Sequence, residues 1–583
     1  MSQNSSFNSP RSPENVPAPA SSPKAITGIV SFMTAAKDSG VRYVFGVPGY
    51  PITNLMNAIF DDPDFSDKSG WFANEKIAFE WALGASFTGH RSLVIVKHVG
   101  LNILLDPLMT AMTHTIGAGL VIVVGDDPGV IASQNCQDSR YFGNLTGTAV
   151  YDCGNPKDIY DQICRGFVLS EQIRAPVIVR VTADALNQTM METLAYKHKG
   201  DCACHIDSSG SVSNSMLSPL YDKSVWELKM KGKHQRFHLL NDPILQEETS
   251  RSCISDSELY NAGKRSKAFK PGYENKFLAV RSVSIRQSKA PASEQIGVIA
   301  SGWCFSSAFM AFELHKNIVL MKVEMVSPLP VQKIKNFLSE FSRVLVIEEP
   351  EPVIEDQIRI FGNVYGKRTG HLPFGKIEQE DMLFAVGNIQ HDTVTKEIVL
   401  PRRPLEGEIG KKEFCKESIY PGFFEMLSDI RDKTNIPVTG DIGCSMYGAV
   451  PPYAVIDAAV SLGSSIGIGS GITAAVHQKS IVVTGDFALA HSGILSLSES
   501  LNRQMSLLIF IMKNNVAAMT GGQCSPDAAG CVHLLMGKVE TSSINTFFWN
   551  DGKDPEFFEK VKKTTLEELN REGLSVIFIE MAD

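Results

Sequence analysis

The chain has 583 residues, too many for a single hydrophobic core, so about three domains are expected. An apolar fraction of 43% and a mean hydropathy of -0.02 are typical of a soluble globular protein. The net charge of -9 excludes the basic surface of a nucleic-acid-binding protein. The apolar runs, such as 120–124, are too short to span a bilayer, so no membrane partner is expected.

Residues 1–25 are rich in Ser, Pro and Asn and contain no apolar core. We interpret them as a disordered tail and not as a signal or transit peptide. The eleven cysteines are scattered and no C-x-x-C pair occurs, so local ligands for a zinc ribbon or a ferredoxin-type cluster are missing. Free, mostly buried thiols in a reducing cytoplasmic compartment are the simplest interpretation.

Residues 26–195 predict a doubly wound α/β domain, because near-continuous Val/Ile runs alternate with helical segments. The predicted strands and the loops after them lie in 43–49, 91–102, 117–129 and 175–186. Asn74 is a predicted N-cap. The helix after it is expected to turn Ile77, Trp81, Leu83 and Ala85 toward the core. Glu75 stands in the first turn of this helix, where a carboxylate also complements the helix dipole.

Residues 196–290 lack sustained periodicity and predict an irregular connector. A second α/β pattern occupies 291–405. Its glutamates Glu348, Glu349 and Glu351 follow a predicted strand, and we interpret them as residues at the start of a helix and not as acid/base groups.

A third α/β pattern covers 406–583, and its most informative part is 481–523. This stretch is predicted to form strand, helix and strand, which makes the strands parallel and places ligands beyond their carboxyl ends. Asp486 and Asn514 end the two strands, 28 residues apart (514 minus 486). A carboxylate and an amide oxygen suit Mg²⁺, which would anchor a diphosphate. Alternatively, Gly-Asp and Asn-Asn are ordinary turns that end strands.

The spacing of Gly485-Asp486 and Asn514 resembles the thiamine-diphosphate (ThDP) signature, in which the Val516 carbonyl would be a third metal ligand. The segment "AAMTGGQ" after it is similar to a loop of the 2-oxoacid:ferredoxin oxidoreductases. Across 40–190 the chain resembles the pyrimidine-binding domain of the indolepyruvate ferredoxin oxidoreductase α subunit. The motifs that carry this resemblance are "FGVPG", "NEKIAFEWALGAS", "VKHVGLNILLDPLMTA", "LVIVVGDDPG" and "SQNCQDSRYF".

The resemblance implies three doubly wound domains: a pyrimidine-binding domain at 26–195, a transketolase C-terminal-like middle domain at 291–405, and a diphosphate domain at 406–583. Glu75 would be the activating glutamate beside the aminopyrimidine of ThDP, where a buried carboxyl exchanges a proton. His98 would lie near the reactive end of the cofactor, and His491 matches a family histidine, so both are predicted to be catalytic; alternatively, His98 is a partly buried histidine with a structural role. The residues implied to contact the cofactor are Pro48, Gly49, Gly440, Asp441, Gly443, Cys444, Gly463, Ser465, Ile466, Gly485, Asp486, Phe487, Ala488, Met519 and Thr520.

Two residues depart from the family pattern. Tyr50 replaces a small hydroxyl residue, usually Thr, on the substrate side, where Thr53 could supply a hydroxyl instead. Phe487 replaces the Gly or Ser that usually follows the metal-binding Asp. The first departure weakens any choice of substrate side chain, and the second changes local backbone freedom but keeps the metal ligand.

The resemblance implies a ThDP- and Mg²⁺-dependent homodimer that decarboxylates a small-molecule 2-oxo acid through an enamine or carbanion. The family's α subunit continues into an iron–sulfur domain, and this chain stops at "FIEMAD". Non-oxidative turnover is therefore our main prediction. One alternative is an α-type subunit that obtains clusters and a coenzyme A site from β/γ-type or ferredoxin partners. The other is a non-catalytic subunit with the ThDP fold.

Overall fold

A computed structural model describes residues 24–113, 115–192, 242–251, 253–255, 295–315, 317–394, 419–537, 539, 542–550 and 554–581. The predicted disordered tail lies outside these ranges up to residue 23, and so does most of the predicted connector. In the described part of the chain, every helix is too short or too polar to cross a membrane.

The first sheet has seven strands and forms the core of the N-terminal region. Its strands are, in spatial order, Met325–Ser327, Ala149–Asp152, Val177–Thr182, Leu120–Asp126, Ser92–Lys97, Tyr43–Gly46 and Ser69–Trp71. All neighbours are parallel except the first pair. That antiparallel edge strand comes from the predicted middle domain, so the chain returns to its first sheet after entering its second.

The helices of this region alternate with the strands, as a parallel sheet requires. They are Gly28–Asp38, Thr53–Phe60, Glu75–Phe87, His98–Ile103, Leu105–Thr113, Tyr141–Thr146, Pro156–Ile173 and Ala183–Asn187. A short antiparallel pair, Lys24–Thr27 with Thr189–Glu192, joins the two ends of the region.

The helix Glu75–Phe87 begins as predicted, because the Asn74 side chain accepts a hydrogen bond from the backbone N–H of Lys76. The prediction for its buried face was wrong for Ile77 and Trp81, whereas Leu83 is partly buried and packs against the core. Trp81 is 60% exposed and Ile77 is 43% exposed, whereas the buried residues are Glu75, Ala78, Phe79, Ala82 and Ser86. Because Ala78, Ala82 and Ser86 are small, this helix lies close to the sheet, and its first residue, Glu75, is buried on the same face.

The second sheet has five strands. In spatial order they are Val364–Tyr365, Val344–Ile347, Ile296–Ser301, Ile318–Val323 and Cys253–Ser255, the last antiparallel to its neighbour. The helices of this region are Gly302–Ala311, Val331–Glu340, Val353–Ile358 and Gln379–Gly387.

The third sheet also has five strands, and all of them are parallel. In spatial order they are Val438–Gly440, Ser480–Gly485, Leu507–Lys513, Ser575–Met581 and Ser543–Trp549. The α-helices are Tyr420–Thr434, Ser465–Val476, Asp486–Ala488, Ile494–Asn502, Ala529–Met536 and Phe557–Leu569. Two 3₁₀-helices, Cys444–Ala449 and Ala518–Thr520, a π-helix, Leu489–Gly493, and a small hairpin, Val516–Ala517 with Gln523–Cys524, complete the region.

Buried ion pairs join the first sheet to the second. The Arg140 guanidinium donates to Asp138 at 2.6 Å and to Glu348 at 2.9 Å, and all three side chains are fully buried. Arg180 donates to Asp126 at 2.6 Å and also to a backbone carbonyl from the second region. Glu348 in turn accepts two backbone N–H groups at the start of the helix Val353–Ile358, so its interpretation as a residue at the start of a helix is confirmed. The fold is α/β and its three large sheets are mainly parallel, as predicted.

Candidate active site

Asp486 and Asn514 directly follow two neighbouring parallel strands of the third sheet, as the spacing predicted. The two Asp486 carboxylate oxygens accept the backbone N–H groups of Phe487 and Asn515, each at 2.7 Å. Burial raises the pKa of Asp486 to about 6, against the opposing effect of these backbone donors. The Asn514 amide oxygen accepts the Val516 N–H at 3.2 Å, which holds the amide at the strand end.

This edge of the sheet has the chemistry for a metal-anchored diphosphate. Carboxylate and amide oxygens keep free lone pairs after accepting one hydrogen bond each, and hard oxygen ligands suit Mg²⁺. A Cβ placed on Gly443, Gly485 or Gly522 would meet no atom within 4 Å, so the backbone at these glycines borders open space. Over the described residues, no group of three or more His, Cys, Asp and Glu side chains could hold a metal. These four residue types do not include Asn, and the carboxylate and amide oxygens of Asp486 and Asn514 have the donor chemistry that the metal-anchored group implied by the signature requires.

Glu75 meets His491 across the gap between the first and third sheets. Glu75 Oε2 lies 2.9 Å from His491 Nε2, and the two residues are only 5% and 7% exposed. The neighbouring Asn74 amide donates to the His491 backbone carbonyl at 2.8 Å. On the other side of the carboxyl, a Cβ on Gly100 would lie 2.5 Å from Glu75 Oε1. Two predicted catalytic residues thus form one buried pair, although 416 positions separate them in the sequence.

Both halves of this pair come from one chain. The resemblance implied a cofactor site shared between two subunits, and this was the reason for expecting a homodimer. The contact of Glu75 with His491 places the two sheets together without a second copy. The homodimer stays a prediction, and the site geometry gives it no support.

His98 lies apart from this pair. It is fully buried, and its ring nitrogens face the backbone carbonyls of Asn135 at 3.1 Å and Gly125 at 3.4 Å. Burial lowers the pKa of His98, which favours the neutral ring. Its observed contacts are those of a buried histidine held by the backbone, and its predicted catalytic role stays untested.

Asp441 is held by protein donors on both carboxylate oxygens. One oxygen accepts the backbone N–H of Ser465 at 3.0 Å, and the other accepts the hydroxyls of Ser465 at 2.6 Å and Thr484 at 2.5 Å. Burial raises the pKa of Asp441. These bonds tie the loop after Gly440 to the start of the helix Ser465–Val476, in which Ile466 is fully buried in the core. Asp441 is thereby placed to support the loop that would border the cofactor.

Three other predicted cofactor contacts in the third region, Gly463, Met519 and Thr520, are held by contacts within the chain. Gly463 has a φ of 81°, and a Cβ there would come within 2.7 Å of the Ala488 carbonyl oxygen. Met519 packs against the core of the third sheet, and the Thr520 hydroxyl donates to Gln523 at 2.8 Å. Only a glycine fits the close approach of residue 463 to the Ala488 carbonyl.

Phe487 and Cys444 have contacts that the sequence did not indicate. Phe487 is partly buried and packs against the hydrophobic core of the first sheet, so this departure from the family pattern contributes to the contact between the two regions. Cys444 is disulfide-bonded, so the interpretation of free thiols is wrong for this residue. Six described cysteines are free, and three of them are exposed, so the thiols are less buried than predicted.

The residues predicted to face the substrate, Tyr50 and Thr53, lie in and just after the turn that follows the strand Tyr43–Gly46. Pro48 and Gly49 are buried, and the Thr53 hydroxyl donates to the Gly49 carbonyl and accepts its N–H, both at 3.0 Å. Thr53 is therefore satisfied within its own turn. Tyr50 is half-buried, and burial followed by the charge of Asp127 raises the pKa of its phenol. A Cβ on Gly521 would lie 4.0 Å from the Thr53 methyl, so the loop after Asn514 does reach this turn.

Comparisons with known proteins show which proteins this chain is similar to. Residues 441–544 match the family model "Thiamine pyrophosphate enzyme, C-terminal TPP binding domain". The indolepyruvate oxidoreductase subunit IorA of Methanothermobacter thermautotrophicus is 27% identical over 518 residues, covering 86% of this chain and 76% of that protein. The chain is a homologue of the IorA subunits. The predicted resemblance is confirmed, at low identity across most of the chain.

Two further comparisons give shorter or more distant similarities. The 2-oxoglutarate synthase subunit KorB of Methanocaldococcus jannaschii is 37% identical over 100 residues, covering 17% of this chain and 36% of that protein. The 2-oxoglutarate:ferredoxin oxidoreductase structure from Magnetococcus marinus covers 64% of this chain and 66% of its own, with 14% identity and a TM-score of 0.43. The family-model match at 441–544 lies on the parallel third sheet and its helices.

Sequence reasoning missed two residues of the site, Gly100 and Ser492. Gly100 adjoins the Glu75 carboxyl, and Ser492 lies 3.1 Å from the second ring nitrogen of His491. The only signal in the sequence was their position, two residues after His98 and directly after His491.

Proposed function

We propose that this IorA homologue is the ThDP-dependent, α-type subunit of a 2-oxoacid:ferredoxin oxidoreductase, acting on a 2-oxo acid such as indolepyruvate. The observation that carries the proposal is the buried pair of Glu75 and His491 in the same chain as the Asp486–Asn514 strand ends. Homology to proteins named as oxidoreductase subunits supports the oxidative chemistry. These comparisons favour our first alternative over the main prediction of non-oxidative turnover.

The proposed roles of the residues follow from their positions. Asp486, Asn514 and the Val516 carbonyl would hold Mg²⁺ and, through it, the diphosphate. Glu75 would face the aminopyrimidine with a proton that a buried carboxyl can both give and take. Phe487 packs between the two regions, which helps to exclude water from the pair. When bound, ThDP supplies the carbon nucleophile and the electron sink that decarboxylation of a 2-oxo acid requires.

Electron transfer would need partner subunits. The sequence contains no C-x-x-C pair, and the curated relatives are themselves named as subunits. We therefore propose a β/γ-type or ferredoxin partner that accepts electrons one at a time, in the cytoplasm. Tyr50 has a phenol where the family pattern has a small hydroxyl residue, so the side chain of the substrate is to be determined by assaying different 2-oxo acids.

Turnover of the purified full chain with ThDP, Mg²⁺ and a panel of 2-oxo acids tests the proposal. CO₂ and aldehyde are measured with and without a one-electron dye. The proposal predicts CO₂ release that depends on the dye, with little aldehyde. Aldehyde formation at the same rate without dye would instead establish a non-oxidative decarboxylase. The variant Ser496→Ala, which alters a nearby helix and not the site, controls for purification effects.

A further inference from the structure

Ser492 links His491 to the backbone of the neighbouring loop. Its hydroxyl donates to the Leu462 carbonyl at 3.0 Å and lies 3.1 Å from His491 Nδ1. A carbonyl oxygen can only accept, and a hydroxyl has one proton to donate. Once that proton points at Leu462, the hydroxyl oxygen can only accept from the imidazole. This arrangement requires a proton on Nδ1 of His491.

The tautomer of His491 decides what Glu75 can do. With a proton on Nδ1, the neutral ring presents a bare Nε2 to Glu75 Oε2 at 2.9 Å, and one proton must lie between the two atoms. Either the carboxyl or the ring can carry that proton. In the opposite tautomer, Nε2–H would donate permanently to an ionised Glu75, and the Leu462 carbonyl would lose its donor. Only the first arrangement satisfies all four groups.

The backbone around Ser492 holds the hydroxyl in place. Ser492 lies in the π-helix Leu489–Gly493, and a Cβ on Gly463 would overlap its hydroxyl oxygen. The Asn74 amide donates to the His491 backbone carbonyl at 2.8 Å, so the His491 backbone is also held by the N-cap of the helix Glu75–Phe87. A π-helical turn inserted in an α-helix is a recurrent feature of functional sites. Here it brings the His491 ring to the Glu75 carboxyl and the Ser492 hydroxyl to the other ring nitrogen.

We propose that Ser492 is a positioning residue that holds the His491 proton on Nδ1, so that His491 and Glu75 share a single mobile proton. The proton leaves Glu75 Oε2 for His491 Nε2 and returns along the same hydrogen bond, with no other bond made or broken. The use of this proton in activating ThDP rests on the proposed function. The tautomer itself does not.

Nitrogen NMR of the full chain, labelled with ¹⁵N-histidine and free of cofactor, tests the tautomer directly. His491→Gln identifies the resonances of His491. The proposal predicts that Nδ1 carries a proton in the wild-type chain and that Ser492→Ala transfers the proton to Nε2. Ser496→Ala, one turn further along, removes a hydroxyl that does not touch the ring and should leave the tautomer unchanged. A bare Nδ1 in the wild-type chain would overturn the proposal, even if Ser492→Ala failed to fold.

A second readout separates this inference from the proposed function. Hydrogen–deuterium exchange at C2 of bound ThDP should slow about tenfold or more in Ser492→Ala, because a misplaced acid/base proton lowers the rate of proton transfer, and not in Ser496→Ala. An Nδ1 proton without ThDP binding would refute the proposed function and leave the tautomer assignment standing. Exchange at the wild-type rate in Ser492→Ala would refute the positioning role.

Discussion

Replacing Gly100 by Ala tests how tightly the structure fixes Glu75. Gly100 lies in the helix His98–Ile103 against the Glu75 side chain. A Cβ there would lie 2.5 Å from Glu75 Oε1, 2.7 Å from Cγ and 2.9 Å from Cδ. Ordinary contact begins at 3.4 Å, so the carboxyl must move by 0.9 Å (3.4 minus 2.5). That movement would break its contact with His491 or distort the helix.

The effects on stability and on activity should differ. Overpacking a core costs about 1–3 kcal/mol, and Ala is better than Gly inside a helix by about 1 kcal/mol. The free energy of unfolding should therefore fall by no more than about 2 kcal/mol, and the protein should remain folded. A displacement near 1 Å in a catalytic group costs about 100-fold in rate. We expect turnover to fall about 100-fold while the melting temperature changes little.

The matched control is Gly84→Ala. Gly84 lies in the helix Glu75–Phe87 that carries the carboxyl, and a Cβ there would meet nothing within 4 Å. This variant should keep wild-type turnover and gain about 1 kcal/mol of stability. The assays are dye-linked CO₂ release and thermal unfolding of both variants. Equal turnover in Gly100→Ala and Gly84→Ala would refute the placement of the Glu75 carboxyl.

Four further predictions follow from the site and its supports. Glu75→Gln should abolish C2 proton exchange in bound ThDP, measured by NMR, while calorimetric titration still shows ThDP binding; exchange at the wild-type rate would contradict the role. Asp486→Ala should lose Mg²⁺ and most ThDP affinity in the same titration, and unchanged affinity would move the metal elsewhere. Arg140→Ala removes the ion-pair partner of two buried carboxylates, so the free energy of unfolding measured with denaturant should fall by about 3–5 kcal/mol. A fall of less than about 1 kcal/mol would mean that water reaches these carboxylates in the folded chain. Burial raises the pKa of Glu349 from 4.5 to about 7, so the folded chain binds this proton more tightly than the unfolded chain does. The stability that the bound proton contributes is complete below pH 4.5 and is lost as the pH rises through 7. Relative to wild type, Glu349→Gln should therefore gain up to about 3 kcal/mol between pH 4.5 and 8 in thermal unfolding, and a pH-independent difference would exclude the raised pKa.

Local signals predicted the parts of the site that depend on short stretches of chain. Asn74 caps its helix, and Asp486 and Asn514 end parallel strands, because capping and strand–turn patterns involve neighbouring residues. The interpretation of Glu348 at the start of a helix was correct for the same reason. The α/β fold followed from the alternation of apolar runs and helical segments.

The features that the sequence did not predict depend on tertiary packing between distant parts of the chain. The helix Glu75–Phe87 is apolar on most of its surface, so periodicity did not identify the face that packs on the sheet, and the large Trp81 was wrongly assigned to the core. The contact between Glu75 and His491 joins elements 416 positions apart and leaves no local pattern. Gly100 and Ser492 matter only because of that contact.

The most direct test of the account is the stoichiometry of ThDP binding to the full chain at a concentration where the chain is monomeric. Calorimetric titration with Mg²⁺ present is combined with sedimentation at the same concentration. Because Glu75, His491, Asp486 and Asn514 all belong to one chain, the account predicts one ThDP per monomer, with binding abolished by EDTA. ThDP binding that appears only when the chain dimerises or meets a partner subunit would contradict a site built within one chain.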